Sequence, residues 1–600
     1  MFFMLKDLSK KEKFFLIGIL LLAAFLIFFR LTRASLQRDD AHYSFRALGY
    51  IDYMASDNGQ TTPLQWFAGE MPAWTKFSFH DHPPLVFLLQ HVSFKIFGAN
   101  DVAAKLPFAV AGLFLVYVVF LLGRELFSVK VGLVAAFVLA INNYHVWIAR
   151  IGYFESITVL LMVLSLLFLA KGSKNEKNFI VAGIFLGLAC LSKYTGFILL
   201  PVFFIYALIN FRQSNNYCAT QNVPYKNVYF WSGLLMALIL FLPVVFYNLK
   251  MFQVRGHADV QFSALLNLPT SDWPILAGRS NWQPQNIFVP LKEIVKVLGD
   301  LVSWPWMIIY LVAFIYIFVD IFFVKDKKNK LGTVFLTGIF IVTLLFFAIT
   351  GGTGEIYLVS FNFIMAVALG LAVVDFYVKI LIDSYWLKGL FFVIATVFIF
   401  YGVFFTYNTN QRLTPMGDSF FVSKSRLEDL GFNDLQKFLS EMFDHKFAGT
   451  VSMVFPTLNR FNPLEGKSGI YADREENKSI FIYDDNTIWF SRLWYFERWS
   501  FYNFFPLIAT RNLRILNLPK VSVENGLAIK DGFYFIKSLQ INQLDKYATE
   551  DPGCVNKLTE ALDKLKEKEV FEITNRMGQP VFRVYKFWNL KPLVACQEYL

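Results

Sequence analysis

The stretch FFLIGILLLAAFLIFF, residues 14–29, is apolar on every side of a helix and contains no charge. A helix that is apolar all round must be buried in a large core or lie in lipid. Spanning a bilayer takes about 20 such residues. The pattern recurs, giving eleven candidate segments: Phe14–Leu31, Val102–Leu122, Val131–Ile148, Ile157–Ala170, Phe179–Leu191, Phe197–Ile209, Val228–Tyr247, Trp304–Val324, Val334–Ile349, Tyr357–Phe376 and Leu387–Tyr407. The chain is 56% hydrophobic with 69 Phe, against roughly 45–50% apolar for soluble domains. A soluble or nucleic-acid-binding protein is therefore excluded.

The net charge of +11 is spread over short connections rather than gathered on one face. With a cytoplasmic N-terminus, alternate loops contain Arg124 and Lys130; Lys171, Lys174 and Lys177; Arg212 and Lys226; Lys325, Lys327, Lys328 and Lys330; then Lys379 and Lys388. That is the positive-inside distribution. Phe28, Phe29 and Arg30 follow the first segment where a signal peptide would have small residues, so it reads as an uncleaved span. The opposite side receives two long loops, about 32–101 and 248–303, and everything after 407. The expected fold is an all-α polytopic membrane domain over 1–407, with about eleven transmembrane helices, and a C-terminal extracytoplasmic mixed α/β domain over 408–600.

The outer segments have internal patterns of their own. After DHPP, the residues Leu85, Leu88, Leu89, Val92 and Ile96 recur at helical spacing, predicting an amphipathic helix along the interface. Leu558, Leu562 and Leu565 predict a helix in the C-terminal region, and VFEIT and VFRVYKF flanking NRMG predict a hairpin. The cysteines Cys190, Cys218, Cys554 and Cys596 lack metal-ligand spacing; Cys554 and Cys596 would pair if their region lies in an oxidising compartment.

Ionisable residues at membrane depth are costly and mark sites or pathways. Asp39 and Asp40, Asp81 and His82, Arg150 and Glu155, Lys193, Arg255, His257 and Asp259, and Glu355 all fall on the outer side of this topology. Each also has a plainer reading. The Asp39–Asp40 pair would solvate a helix end, Asp81 would cap one, and Arg150 and Lys193 would snorkel to the interface.

The motifs RDDAHY, DHPPL, AAKLPFAVAGLFLVYVVFLLGRELF, ARIGYFESI and LSKYTGFILLP, in that order, resemble the landmarks of integral-membrane glycosyltransferases of the GT-C class. That superfamily includes the protein O-mannosyltransferases and the lipid A aminoarabinose transferases. The resemblance covers roughly residues 10–380. It implies transfer of a sugar from a polyprenyl-phosphate carrier to a protein, lipid or glycan acceptor at the outer face of a bacterial or archaeal cell membrane. Asp39 matches the family's catalytic acid and would be the general base; Asp40 stands where Glu is commoner. Tyr43, Asp81, His82 and Glu155 would position acceptor or sugar. A lipid-phosphate leaving group needs charge neutralisation more than a proton, and Lys193 and Arg150 are the expected cations. The family's basic residue in the last outer loop has no counterpart in GGTGEIYL, whose glycines offer backbone N–H groups instead. Arg255 and His257 are site residues by topology alone.

The acids with His42, His82 and His257 permit a divalent metal without requiring one. An oligosaccharyltransferase would be expected to have a Trp-Trp-Asp motif in its outer domain, and none is present. A transporter would show internal repeats and helices broken at midplane; polar residues gathered at one face argue against it.

Overall fold

A computed structural model describes residues 8–53, 63–67, 71–214, 227–266, 268, 272, 287–323, 327–378, 385–417, 429–442, 479–503, 507–510, 513, 532–540 and 553–599. Cys218, Lys226, Val324, Lys325 and Lys379 lie outside them. The chain divides into two compact units. The first comprises Met1–Leu31, Trp74–Val86 and Lys105–Lys424; the second comprises Thr32–Ala73, Phe87–Ala104 and Ser425–Leu600.

The first unit is helical. Among the described residues, six helices are long and apolar enough to cross a membrane: Asp101–Leu126, Val228–Arg255, Trp304–Phe322, Lys330–Thr350, Tyr357–Phe376 and Tyr385–Asn410. A seventh span exists if Val129–Ala140 and Asn143–Arg150, bent by 62° relative to one another, count as one. The remaining apolar segments are also helical: Lys10–Phe28, Glu155–Lys171, Asn178–Ser192 and Leu199–Ser214. The expected apolar segments are thus helical, and six or seven of the described helices are by themselves long and apolar enough to cross a membrane.

The bend has a cause in the sequence. Asn142 accepts from the His145 N–H at 2.9 Å and caps a new helix. Groups opened by the break find partners. The Ile141 carbonyl accepts from Thr406 Oγ1 (2.7 Å), and Asn143 Nδ2 donates to the Leu301 carbonyl (2.9 Å). Asn410 Nδ2 in turn donates to Asn143 Oδ1 (2.8 Å). Unsatisfied backbone at membrane depth costs several kcal/mol by rough estimate, so Asn142 and Thr406, which satisfy the His145 N–H and the Ile141 carbonyl, make the bend tolerable.

Helix pairs in this unit meet through small residues, the expected solution where lipid supplies no hydrophobic drive. A Cβ at Gly183 would fall onto the Gly233 carbonyl, and one at Gly187 would lie 2.9 Å from Ala237 Cα.

The second unit contains a five-stranded sheet: β1 (Ser479–Tyr483), β2 (Leu507–Ala509), β3 (Gly532–Ser538), β4 (Lys568–Thr574) and β5 (Pro580–Phe587), in the order β2-β1-β3-β5-β4. β1 pairs parallel with β2 and β3, and the remaining pairs are antiparallel. The β4–β5 hairpin is the one expected around Asn575–Gly578, with Gly578 at φ +76°. Its core joins Ile480, Ile482, Phe535 and Phe587 to Leu558 and Leu562 from the Gly553–Lys564 helix. Cys554 and Cys596 are joined as a disulfide.

The expected amphipathic helix is present as Leu85–Phe97. Its apolar face points outward, with Leu88, Leu89, Val92 and Ile96 exposed, while Gln90 and Ser93 are buried. Gln90 Nε2 donates to Ser44 Oγ (3.0 Å) and to the Ala104 carbonyl (2.8 Å).

Gly183→Ala is expected to destabilise the helical unit by about 1–3 kcal/mol through overpacking. Gly18→Ala, where a Cβ meets nothing within 4 Å, should be neutral. Thermal unfolding of the detergent-purified protein measures both.

Candidate active site

The first unit brings four chain segments into a closed circuit of contacts. It starts at His80–Asp81–His82. Asp81 Oδ2 lies 3.0 Å from His82 Nδ1, and Asp81 Oδ1 lies 3.9 Å from His80 Nδ1. The His82 ring meets the Phe154 ring edge-on, with centroids 5.0 Å apart. The next residue, Glu155, begins the Glu155–Lys171 helix and forms a partly buried ion pair with Lys193 Nζ. Tyr194, adjoining Lys193, donates its hydroxyl to Asp259 Oδ2. Val260, following Asp259, closes the circuit with an N–H donated to the His80 carbonyl at 2.7 Å.

Several predicted residues take partners that the sequence did not indicate. Glu155 and Lys193, assigned separately to sugar and phosphate, hold one another. Lys193 Nζ also lies 4.8 Å from the ring centroid of Tyr357, a cation–π distance. The GGTGEIYL segment therefore contributes an aromatic face to the cation; Tyr144 also anchors it, donating its hydroxyl to the Glu355 carbonyl. Arg150, expected to grip a phosphate, donates to main chain. Its Nη1 donates to the carbonyls of Leu26 (3.2 Å), Ile27 (2.6 Å) and Phe29 (2.8 Å), and its Nη2 to that of Arg30 (2.6 Å). These are the open carbonyls at the end of the Lys10–Phe28 helix, where a cation also complements the dipole.

Arg255 and His257 share a different acid, Asp272. Arg255 Nε and Nη2 donate to its two oxygens at 3.0 and 2.6 Å, and His257 Nε2 lies 2.7 Å from Oδ2. Burial works to raise the Asp272 carboxyl, but the hydrogen bonds from Arg255 and His257 outweigh it and hold the group below the usual carboxylate range. Asp259 is fully buried, and desolvation pushes its carboxyl upward against hydrogen bonds from Phe262, Tyr194 and Asn248. Asp259 was legible in the sequence only as one of the ionisable residues of its loop, and Tyr194, His80 and Tyr357 were not singled out as site residues. Tyr194 lies inside the LSKYTGFILLP landmark and was the most accessible of them to sequence reasoning.

Asp39, Asp40 and Tyr43 belong to the second unit, on the Asp39–Gly49 helix. The two acids differ. Asp40 is buried, and its Oδ1 accepts from the N–H groups of Gln37 (3.1 Å), Arg38 (2.9 Å) and Ala41 (3.0 Å). Asp39 is half-buried at the first helical position and takes no part in those bonds. His42 Nε2 lies 2.9 Å from the Tyr53 carbonyl, and its ring stacks on Phe490. The Tyr43 ring meets Phe87 edge-on at 5.9 Å.

Residues 81–247 match the family described as dolichyl-phosphate-mannose-protein mannosyltransferase. This segment contains Asp81, His82, Arg150, Glu155, Lys193 and Tyr194. The chain is 29% identical over 135 residues to the putative mannosyltransferase YkcB of Bacillus subtilis, and 29% over 137 residues to YycA of the same organism. Each alignment covers 22% of this chain, and the chain spans only 18% and 20% of those relatives' lengths. Among solved structures it is similar to ArnT from Cupriavidus metallidurans bound to undecaprenyl phosphate, at 12% identity and TM-score 0.49, covering 95% of this chain and 97% of that one. It is also similar to the oligosaccharyltransferase AglB from Archaeoglobus fulgidus in complex with an inhibitory peptide and a dolichol-phosphate, at 14% identity and TM-score 0.49, covering 88% and 69%.

Because the Asp272 carboxyl is held low in the folded state, its contribution to stability is present above the unfolded carboxylate range and is lost as pH falls through the lower, folded value. Asp272→Asn should therefore unfold at lower temperature than wild type at neutral pH. The gap should close on acidification, as read by melting temperature from pH 7 to 3.

Proposed function

We propose that this chain is a membrane glycosyltransferase that moves a sugar from a polyprenyl-phosphate donor to an acceptor hydroxyl at the extracytoplasmic face. In this reading the N-terminus is cytoplasmic, eleven helical segments serve the bilayer over 1–407, and 408–600 form the outer domain. The observation that carries it is the circuit joining Asp81–His82, Phe154–Glu155, Lys193–Tyr194 and Asp259–Val260. Three of its four corners fall inside the segment matched to a mannosyltransferase family, so mannose is the first sugar to try.

The acceptor oxygen attacks the anomeric carbon as the bond from that carbon to the phosphate oxygen breaks. The acceptor's proton passes to Asp39 as general base, and the lipid phosphate leaves as an anion. Lys193 neutralises that anion. Its ion pair with Glu155 and its place over Tyr357 fix the ammonium before the charge develops, which is the condition for electrostatic catalysis. Arg150 serves by holding the end of the first helix rather than by touching phosphate. Asp81 and His82 position sugar or acceptor, and Asp40 holds the loop in which Asp39 stands.

The test is turnover of polyprenyl-phosphate sugars, mannose first, by the full-length protein in nanodiscs. Asp39→Asn is expected to lower kcat by about 10²–10⁴-fold, the range for a general base; wild-type turnover would remove Asp39 from that role. Lys193→Gln should raise the donor KM, with Lys193→Arg retaining more of the donor affinity. Unchanged donor kinetics in both would exclude Lys193 from the phosphate.

A further inference from the structure

We infer that Tyr495 and Ser491, in the C-terminal part of the chain, are positioning residues for Asp39, acting through the main chain of Leu36. The inference rests on the reading of Asp39 as acceptor base. Leu36 lies three residues before Asp39, and both of its main-chain polar groups are held by side chains more than 450 positions away. Its N–H donates to the Tyr495 hydroxyl at 2.9 Å, and its carbonyl accepts from Ser491 Oγ at 3.0 Å. Holding the donor and the acceptor of one residue fixes the orientation of both flanking peptide planes.

The clamp is itself rigidly seated. The Tyr495 hydroxyl donates to Asp101 Oδ2 at 2.7 Å, and Trp494 Nε1 donates to Asp101 Oδ1 at 2.8 Å. The Tyr495 ring stacks on Phe432, centroids 4.9 Å apart, and Arg498 lies 4.1 Å over the Trp494 ring. Downstream of Leu36, the Asp40 carboxylate gathers the N–H groups of Gln37, Arg38 and Ala41. The main chain from 36 to 41 is thus anchored from both ends by bonds that leave out the Asp39 carboxylate. A general base must sit within hydrogen-bond reach of the proton it takes, and a displacement of about 1 Å costs about 10²-fold in rate. Anchoring at this density suits that demand.

Tyr495→Phe retains the ring stack on Phe432 and removes the hydroxyl. Full-length protein in nanodiscs, assayed for sugar release from dolichyl-phosphate mannose, should lose roughly 10- to 100-fold in kcat with donor KM unchanged. S491A should lose less. In the double-mutant cycle, D39N/Y495F should be no slower than D39N, because Tyr495 acts only through Asp39. Multiplying losses would show a general structural role and overturn the inference, as would wild-type kcat in Y495F. Loss of activity in D39N with full activity in Y495F removes the positioning role and leaves the base standing. Wild-type activity in D39N removes both.

Discussion

Main-chain groups at the edge of a low-dielectric layer must all find partners, and much of this structure is organised around that requirement. Arg150 meets it for the first helix, with four carbonyls from Leu26 to Arg30 on one guanidinium. Arg30 has φ +54°, a left-handed conformation that strains an L residue, and the bond from Arg150 to its carbonyl helps hold it there. Asn142, Asn143, Thr406 and Asn410 meet the same requirement at the 62° bend. In the second unit, Tyr495 and Ser491 meet it for Leu36. Asn142 acts on its own helix, whereas Arg150, Thr406, Tyr495 and Ser491 are each distant in sequence from the backbone they hold.

The charges follow the same logic. A buried ammonium is tolerable only with a partner, and Lys193 has Glu155 and the face of Tyr357. The pair ties the two side chains to one another, so neither is free to snorkel. It also makes their roles inseparable, since loss of Glu155 would leave Lys193 buried without its carboxylate. Asp272 plays the corresponding part for Arg255 and His257.

Much of the fold was legible before the structure. Apolar runs read as helices are helices, and the helix around Leu558 and Leu562 and the β4–β5 hairpin stand where local pattern put them. Those features are encoded within a few residues of themselves. β1, β2 and β3 were not legible, because parallel neighbours are distant in sequence and their pairing leaves no short-range turn signal. Hydropathy marked eleven apolar segments without distinguishing a helix long enough to span by itself from one of 15 to 17 residues.

The sequence by itself determined that this chain enters a membrane, which segments are helical, and which ionisable residues stand at their ends. Those properties follow from transfer energies and from local periodicity. Tertiary structure decided what each ionisable group is bonded to. It assigned Arg150 to carbonyls, Lys193 to Glu155 and Asp40 to three N–H groups. It also placed Thr32–Ala73 in one compact unit with Ser425–Leu600. Side chains choose partners by distance and desolvation in space, and neither is written in linear order.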